Sequence, residues 1–332
     1  MFINQNTVCY TYENMLSDLK TLSRRYPEEI RYETLAETVD KRQIWCLAIG
    51  NPDAKRKILI HGSIHGREHI TSRLVIKQAE AFLRHRKNGD SYRNIKYDKL
   101  LEDTAIYVIP MVNPDGVTIS QMGLRGIQTA YVRENVKEIA VMDGNDLDQG
   151  YFSRWKANGN GVDLNRNFDA GWTQYRDLTG HPSSAFYKGS RPESERESAA
   201  LVFLTKKEKF VRTISYHTQG NVIYWYFRQR GKLYTDTLSF GKRISETTGY
   251  PLDKDDKSMV PAGYKDWAIQ KQGIPSITIE TGIGVSPLPY RQWDDIWKCN
   301  VYVWEETLLS LSDGDLCQGN TNKVKINTLK VL

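Results

Sequence analysis

Three of the six histidines in this 332-residue chain, His61, His65 and His69, fall in the short segment HGSIHGREH. The segment follows the apolar run KILI, so it is expected on a loop that leaves a buried strand. Taken alone, His65-x-x-Glu68 is a common pattern that a surface histidine near a helix start would also produce. Its place after a strand favours a ligand site, because α/β sheets bind ligands outside the carboxyl ends of their strands.

These residue types suit a catalytic zinc, which needs three nitrogen or oxygen ligands and one open position. His65 and Glu68 offer two ligands, and His217, which ends the strand-like run FVRTISYH, offers a third. Glu280 ends another apolar run, IPSITIE, where an unpaired buried carboxylate would be costly. We therefore predict that Glu280 is a general base that acts on zinc-activated water.

HGREH also matches an inverted zinc motif, in which His65 and His69 would bind the metal and Glu68 would be the base. That motif requires a helix that carries both rings on one face. Here Gly66 follows the first histidine directly, and the preceding strand leaves room only for a loop. The sequence therefore favours His217 over His69 as the third ligand.

The segment WKANGNGVDLNRNF contributes groups that could hold an anionic substrate. Lys156, Asn165 and Arg166 could bind a carboxylate or a developing oxyanion, and arginine binds a carboxylate as a planar fork. Asp163 could accept the second ring N–H of a ligand histidine. The alternative interpretation is a solvated loop with ordinary Asx turns.

Strands and helices alternate around these groups, which indicates an α/β fold. The run TAIYVIPMV is too apolar for a half-exposed strand and predicts a sheet covered on both faces. The stretch 116–172 is rich in Gly, Asn and Asp, and its weak periodicity predicts a long irregular segment that carries function. Helical spacing is found at residues 11–26, 71–86, 232–248 and 296–311.

Composition excludes several classes of protein. The net charge of +6 comes from interspersed basic and acidic residues without an arginine-rich arm, which argues against nucleic acid as a partner. No run of eighteen apolar residues is present, so no transmembrane helix is expected. The start has neither a basic region nor an apolar run typical of a secretory signal, and we expect a cytoplasmic protein. Nothing in the sequence indicates an oligomeric state.

Six segments, in order, resemble the zinc carboxypeptidase family, of which carboxypeptidase A is the familiar member. They are IHGREH, VNPDG, GVDLNRNF, YKGSRPESE, SYHTQG and TIETG. The resemblance implies one zinc ion bound by His65, Glu68 and His217, with Glu280 as the general base. It also implies a single α/β domain with a mixed sheet of about eight strands between helices. We place that domain at residues 11–311, between an N-terminal extension (1–10) and a C-terminal tail of unknown structure (312–332).

The same resemblance assigns roles to four further residues. Arg67 matches the arginine that contacts substrate within the metal motif. Asn165 and Arg166 match the pair that grips a terminal carboxylate, and Asp163 matches the partner of the first ligand histidine.

Three positions depart from the family pattern. The oxyanion-stabilising arginine is replaced by Lys156, which offers a point charge instead of a planar fork. The substrate-capping tyrosine falls on Ser258, and the nearby Tyr264 cannot be assumed to replace it. The position that sets side-chain preference holds Lys265, which would favour an acidic group on the substrate.

These departures, with the segments WKAN and GYKDW, resemble the bacterial γ-D-glutamyl-diamino acid peptidases more than the digestive carboxypeptidases. The resemblance implies zinc-dependent hydrolysis of the bond between γ-D-glutamate and meso-diaminopimelate or lysine, with murein-derived peptides as substrates. Two alternatives stay open. One is a general metallocarboxypeptidase for ordinary peptides, and the other is a non-catalytic, zinc-containing protein that binds wall peptides.

Overall fold

A computed structural model describes residues 9–254 and 260–316, the last five of them as backbone only. Its strands are β1 (Ile30–Glu37), β2 (Gln43–Ile49), β3 (Arg56–His61), β4 (Ser91–Tyr92), β5 (Ile95–Lys96), β6 (Thr104–Ile109), β7 (Arg212–His217), β8 (Val222–Tyr224) and β9 (Ser276–Glu280). Its α-helices are α1 (Tyr12–Arg25), α2 (Ile70–Lys87), α3 (Tyr97–Leu100), α4 (Pro114–Met122), α5 (Ala130–Met142), α6 (Gln149–Ser153), α7 (Arg196–Glu208), α8 (Gly231–Thr248), α9 (Tyr264–Gln272), α10 (Trp293–Asn300) and α11 (Val303–Leu316).

Seven strands form one mixed sheet in the order β1-β2-β6-β3-β7-β9-β8. The inner strands β6, β3, β7 and β9 are parallel to one another. The outer strands β1, β2 and β8 pair antiparallel with their neighbours. The predicted α/β class with a mixed sheet is confirmed, with seven strands in the described part of the chain where about eight were expected.

Both faces of the sheet are covered, as the apolar inner strands predicted. On β3, Ile58 and Ile60 pack into a layer with α1, α2, α8, α10 and α11. Leu59 points to the opposite face, where α7 and α9 pack. All six residues of β6 are buried, because a parallel strand between two helical layers has no solvent-facing side.

The order of the strands creates a switch point between β3 and β7. From β3 the chain crosses through α2 to β6 on one side, and it returns later to β7 on the other side of β3. The loops that follow β3 and β7 therefore diverge and leave a crevice at the carboxyl edge of the sheet. Register brings the strand ends level there, since His61 pairs with Ser215 and His217 pairs with Glu280.

The prediction of an irregular stretch at 116–172 is wrong for its first two thirds, which contain most of α4 and all of α5 and α6. In α5, Val132, Val136 and Ile139 are buried at helical spacing, but charged neighbours hide that periodicity in the sequence. Beyond α6 the chain is irregular as far as α7, apart from a single short 3₁₀ turn at Leu164–Arg166. The helices α7 and α9 were also not predicted.

The start of the described chain packs on the domain. The Tyr10 side chain is buried, and its hydroxyl donates to Asp18 of α1 at 2.7 Å. At the other end α11 continues to Leu316, into the segment predicted as a tail. No helix in the described ranges combines the length and apolar character that crossing a membrane requires.

Candidate metal centre and adjoining cavity

The loop after β3 carries His65 and Glu68 in a tightly restrained backbone. His65 is the residue before a short 3₁₀ turn at Gly66–Glu68. The Gly66 N–H donates to the Lys156 carbonyl oxygen at 3.0 Å. A Cβ at residue 66 would lie only 2.3 Å from the carbonyl oxygen of Gly116, so a larger side chain would displace the loop.

Asn113, in the VNPDG segment, joins this loop to the strand edge. It is fully buried, and its amide nitrogen donates to the carbonyl oxygens of Ile64 (3.2 Å) and Ala157 (3.0 Å). Its amide oxygen accepts from the Gly116 N–H at 2.8 Å. One side chain thus fixes the positions of the loop that carries His65 and Glu68 (the metal loop) and of the segment that contains Lys156 (the Lys156 loop). The sequence did not reveal this role.

His65, Glu68 and His217 meet in a buried cluster, and their ligand atoms all lie within 4.8 Å of one another. The Glu68 oxygens lie 2.8 Å from His65 Nδ1 and 3.0 Å from His217 Nδ1. The two Nδ1 atoms are 3.1 Å apart. The structure therefore brings together the three residues predicted as ligands.

The cluster fits a zinc ion. Tetrahedral ligands about 2.0–2.2 Å from zinc lie roughly 3.3 Å from one another, close to the separations found here. His65 Nε2 lies 3.1 Å from Asp163 Oδ1, so a proton on that nitrogen leaves the Nδ1 lone pair directed at the cluster. A cation between these two imidazole nitrogens and the carboxylate would be bound by all three groups.

Charges in the cluster support the same assignment. Burial would raise the pKa of the Glu68 carboxyl, but His65 and His217 together hold that pKa below its ordinary value. Burial lowers the pKa of His65. Burial also opposes a charge on His217, but the carboxylate of Glu68 outweighs it, so the pKa of His217 lies above its ordinary value. An ionised carboxylate beside a neutral imidazole is the state in which such groups bind a divalent cation.

The inverted motif does not form. The residues between His65 and His69 make a 3₁₀ turn, and α2 begins only at Ile70. The two rings therefore do not share a helix face, and His69 is outside the cluster in the described structure.

Glu280 reaches the cluster from the neighbouring strand. It ends β9, and the Thr281 N–H that follows donates to the His217 carbonyl oxygen at 2.9 Å. Burial raises the pKa of the Glu280 carboxyl to about 7; the charge of Glu68 acts in the same direction and that of His217 opposes it. A carboxyl that titrates near neutrality is well suited to accept and return a proton.

Two basic side chains border the cluster. Lys156 is buried, and its Nζ lies 3.0 Å from Asp163 Oδ2 and 5.0 Å from the centre of the Phe186 ring. Despite the opposing effect of burial, Lys156 and His65 hold the pKa of the Asp163 carboxyl well below its ordinary range. Arg67 is half-buried, and its Nε has no hydrogen-bond partner in the described structure.

A cavity of about 390 Å³ opens beside Glu280. Asn165 and Arg166 line it, as does Lys265. The Asn165 amide oxygen accepts from the Tyr264 N–H at 3.0 Å, which leaves the amide nitrogen as the donor group for a ligand. Arg166 Nη1 donates to the Asn165 carbonyl oxygen at 2.6 Å. Three of the four residues predicted to bind substrate therefore share one cavity with Glu280, whereas Arg67 is not among the residues that line it.

Lys265 is less available to an anion than the sequence suggested. Its Nζ donates to the Tyr226 carbonyl oxygen at 2.9 Å and forms an ion pair with Asp266 Oδ1 at 2.7 Å. Tyr224 and Asp253 also line the cavity, and no motif in the sequence indicated either of them.

Tyr264 cannot cover a substrate. Its side chain is fully buried, and its hydroxyl lies 2.8 Å from the Thr205 hydroxyl. Ser258, which occupies the position of the family's capping tyrosine, lies outside the described residues.

Comparisons with known proteins identify the chain's relatives. The family model described as zinc carboxypeptidase matches residues 15–302. The chain is 31% identical over 290 residues to γ-D-glutamyl-L-diamino acid endopeptidase 1 of Lysinibacillus sphaericus, covering 87% of this chain and 69% of that protein. It is 26% identical over 226 residues to human mast cell carboxypeptidase A, covering 67% and 48%.

A solved structure shows the same fold. Bovine thrombin-activatable fibrinolysis inhibitor, in complex with tick carboxypeptidase inhibitor, superposes with a TM-score of 0.70 at 18% identity. The match covers 92% of this chain and 97% of that one. The family match covers most of the chain, and the structure brings the His-Glu-His set together. The chain is a metallopeptidase of the zinc carboxypeptidase family.

Proposed function

We propose that this protein is a zinc-dependent peptidase that hydrolyses the bond between γ-D-glutamate and a diamino acid in cell-wall peptides. The observation that carries the proposal is the cavity beside Glu280, whose wall contains Lys265, Asp266 and Asp253. A wall with charges of both signs suits a charged diamino acid better than the apolar side chains of many ordinary peptides. Similarity to an endopeptidase named for γ-D-glutamyl-L-diamino acids supports the same substrate class.

His65, Glu68 and His217 are the residues that would hold the zinc ion. A zinc ion bound there supplies Lewis-acid activation of water and of the peptide carbonyl. Asp163 orients the His65 ring through the hydrogen bond to Nε2.

Glu280 is assigned the proton transfers. Its carboxylate takes a proton from the attacking water and then delivers it to the amine of the departing diamino acid. A pKa of about 7 allows the same group to act as base and then as acid near neutral pH.

The basic residues divide between charge stabilisation and binding. Arg67, with an unpaired Nε, is better placed than Lys156 to donate to the developing oxyanion, because Lys156 is already paired with Asp163. Arg166 and Asn165 line the cavity and bind the carboxylate on the diamino acid's reacting end.

The test is mass spectrometry of the products. Zinc-loaded protein is incubated with L-Ala-γ-D-Glu-meso-diaminopimelate and, separately, with a plain L-peptide, and chelator-treated protein serves as control. We expect L-Ala-D-Glu and free diaminopimelate from the first peptide, little product from the second, and none after chelation. Failure to cleave the first peptide would contradict the proposal.

A second candidate is a general metallocarboxypeptidase, which the similarity to mast cell carboxypeptidase A favours. In that case the plain L-peptide would lose its C-terminal residue. A protein that binds wall peptides without cutting them would show tight binding and no product from either peptide.

A further inference from the structure

Besides Glu280, to which proton transfer is assigned, the cavity is lined by a second carboxylate that no described side chain pairs with. Asp253 lines the cavity, and its side chain makes no hydrogen bond or ion pair with any described residue. By contrast, Asp266 in the same wall is paired with Lys265 and accepts from the Gly263 N–H at 3.2 Å. Apart from Glu280, Asp253 is therefore the carboxylate in the described cavity wall that is available to a cation.

Backbone hydrogen bonds hold Asp253 in place. Its N–H donates to the Ile223 carbonyl oxygen at 2.9 Å, and its carbonyl oxygen accepts from Trp225 Nε1 at 3.0 Å. These bonds tie the residue to the β8 edge of the sheet. The carboxylate is consequently presented from a restrained backbone without the help of another side chain.

Tyr224 links Asp253 to the reacting end of the cavity. It pairs with Thr278 of β9, two residues before Glu280. Burial raises the pKa of the Tyr224 phenol, and the negative charges of Glu280 and then Asp253 raise it further. The carboxylates of Asp253 and Glu280 therefore both lie close enough to Tyr224 to act on its phenol.

Lys265 offers the complementary charge. An ammonium group has three N–H donors, of which one here bonds the Tyr226 carbonyl oxygen and a second pairs with Asp266. The third is left for a ligand. Besides Glu280, the described cavity wall thus offers the unpaired carboxylate of Asp253 and one remaining N–H of Lys265.

We propose that Asp253 is a specificity-determining residue that binds the free side-chain ammonium of the substrate's diamino acid. Lys265 binds the carboxylate beside that ammonium when the diamino acid has one, as in diaminopimelate. This assignment rests on the proposed function and adds to it the group that the substrate's side chain must carry. An apolar side chain would leave Asp253 without a partner and would be disfavoured for that reason.

Three peptides separate the contributions: L-Ala-γ-D-Glu followed by meso-diaminopimelate, L-lysine or L-norleucine. Norleucine matches lysine without the side-chain amine. For Asp253→Asn we expect kcat/KM to fall about tenfold with the first two peptides, mainly through KM, because a charge-assisted hydrogen bond is lost. The norleucine peptide should be cleaved as by the unchanged protein.

Three variants complete the design. Asp253→Glu should recover part of the loss, since it keeps the carboxylate. Lys265→Met should impair cleavage of the diaminopimelate peptide more than cleavage of the lysine peptide, because only the first has a side-chain carboxylate. Asp53→Asn, the same change at an exposed site outside the cavity, should leave all three rates unchanged.

The outcomes distinguish the two claims. If Asp253→Asn lowers cleavage of all three peptides equally, or of none, the role of Asp253 is refuted. If the unchanged protein cleaves all three equally well, γ-D-glutamyl hydrolysis stands and the specificity assignment falls. If it cleaves none of them, the proposed function fails, and the assignment fails with it.

Discussion

The buried Asp163 carboxylate shows how single residues set the chemistry of the site. It contacts the His65 ring on one oxygen and the Lys156 ammonium on the other. The lysine charge keeps the carboxylate ionised, and the ionised carboxylate in turn fixes which His65 nitrogen carries the proton. Lys156 therefore acts on the metal cluster through Asp163.

Asp163→Asn is predicted to weaken zinc binding by about 10- to 100-fold, because the amide orients the His65 ring less well. A competition titration against a fluorescent zinc chelator measures the affinity. Asp169→Asn is the matched control, since Asp169 is exposed and pairs with Lys271 at 2.8 Å. Equal zinc affinity for Asp163→Asn and the unchanged protein would show that Asp163 does not orient the ligand.

Among the structural elements, the inner strands were the most predictable. Runs such as KILI and TAIYVIPMV are apolar after their first residue, which is typical of a strand in a sheet covered on both faces. That placement also predicted that His217 and Glu280, as strand ends, would meet at one edge. The helices α7 and α9 were missed because polar residues occupy much of each, and periodicity is then weak in a single sequence.

The cavity wall could not be predicted for a different reason. Tyr224 and Asp253 belong to no motif, and they come together only when β8 pairs with β9 and residue 253 bonds to residue 223. Asn113 is a similar case. The sequence shows Asn113 as part of the VNPDG segment. Its amide nitrogen, however, bonds to Ile64 and Ala157, which are 49 and 44 positions away in the chain.

The variant Asn113→Ala tests whether one side chain holds the metal loop and the Lys156 loop together. The change removes three buried hydrogen bonds and leaves carbonyl groups unpaired, so we expect a loss of about 3 kcal/mol in the free energy of unfolding. Urea denaturation measures it. Asn145→Ala, at an exposed position, should cost less than about 0.5 kcal/mol. Equal stability of the two variants would mean that Asn113 does not join the loops.

For the whole molecule, Glu197 in α7 should make stability depend on pH. Burial, with Asp115 and Glu195 nearby, raises the pKa of this carboxyl from 4.5 to about 8. The folded chain therefore holds a proton between pH 4.5 and 8 that the unfolded chain has lost, so this group's contribution to stability falls as pH rises through that window.

Glu197→Gln removes that loss, because glutamine stays neutral at every pH. We expect the variant to raise Tm at pH 8 and to leave it nearly unchanged at pH 4.5, as measured by differential scanning calorimetry. Glu193→Gln, at a partly exposed position before α7, should change Tm equally at the two pH values. A gain for Glu197→Gln that is the same at both pH values would rule out the linkage.

Metal removal should also affect the whole domain, because the cluster joins the loop after β3 to the last residue of β7. Zinc at a thousandfold excess over its dissociation constant stabilises the folded state by about 4 kcal/mol. We expect chelation to lower Tm by several degrees and added zinc to restore it. A Tm that is indifferent to chelation would indicate that the cluster does not bind zinc when the chain is folded.

Glu280, the carboxylate that ends β9 beside the metal cluster, has the central role in the proposed hydrolysis. The most direct measurement is kcat of Glu280→Gln on the γ-D-glutamyl-diaminopimelate peptide, with bound zinc quantified in the same preparation. We predict a fall in kcat of roughly 10²- to 10⁴-fold with zinc content unchanged at one ion per chain. Near-normal turnover in a zinc-loaded variant would contradict the assignment of proton transfer to Glu280.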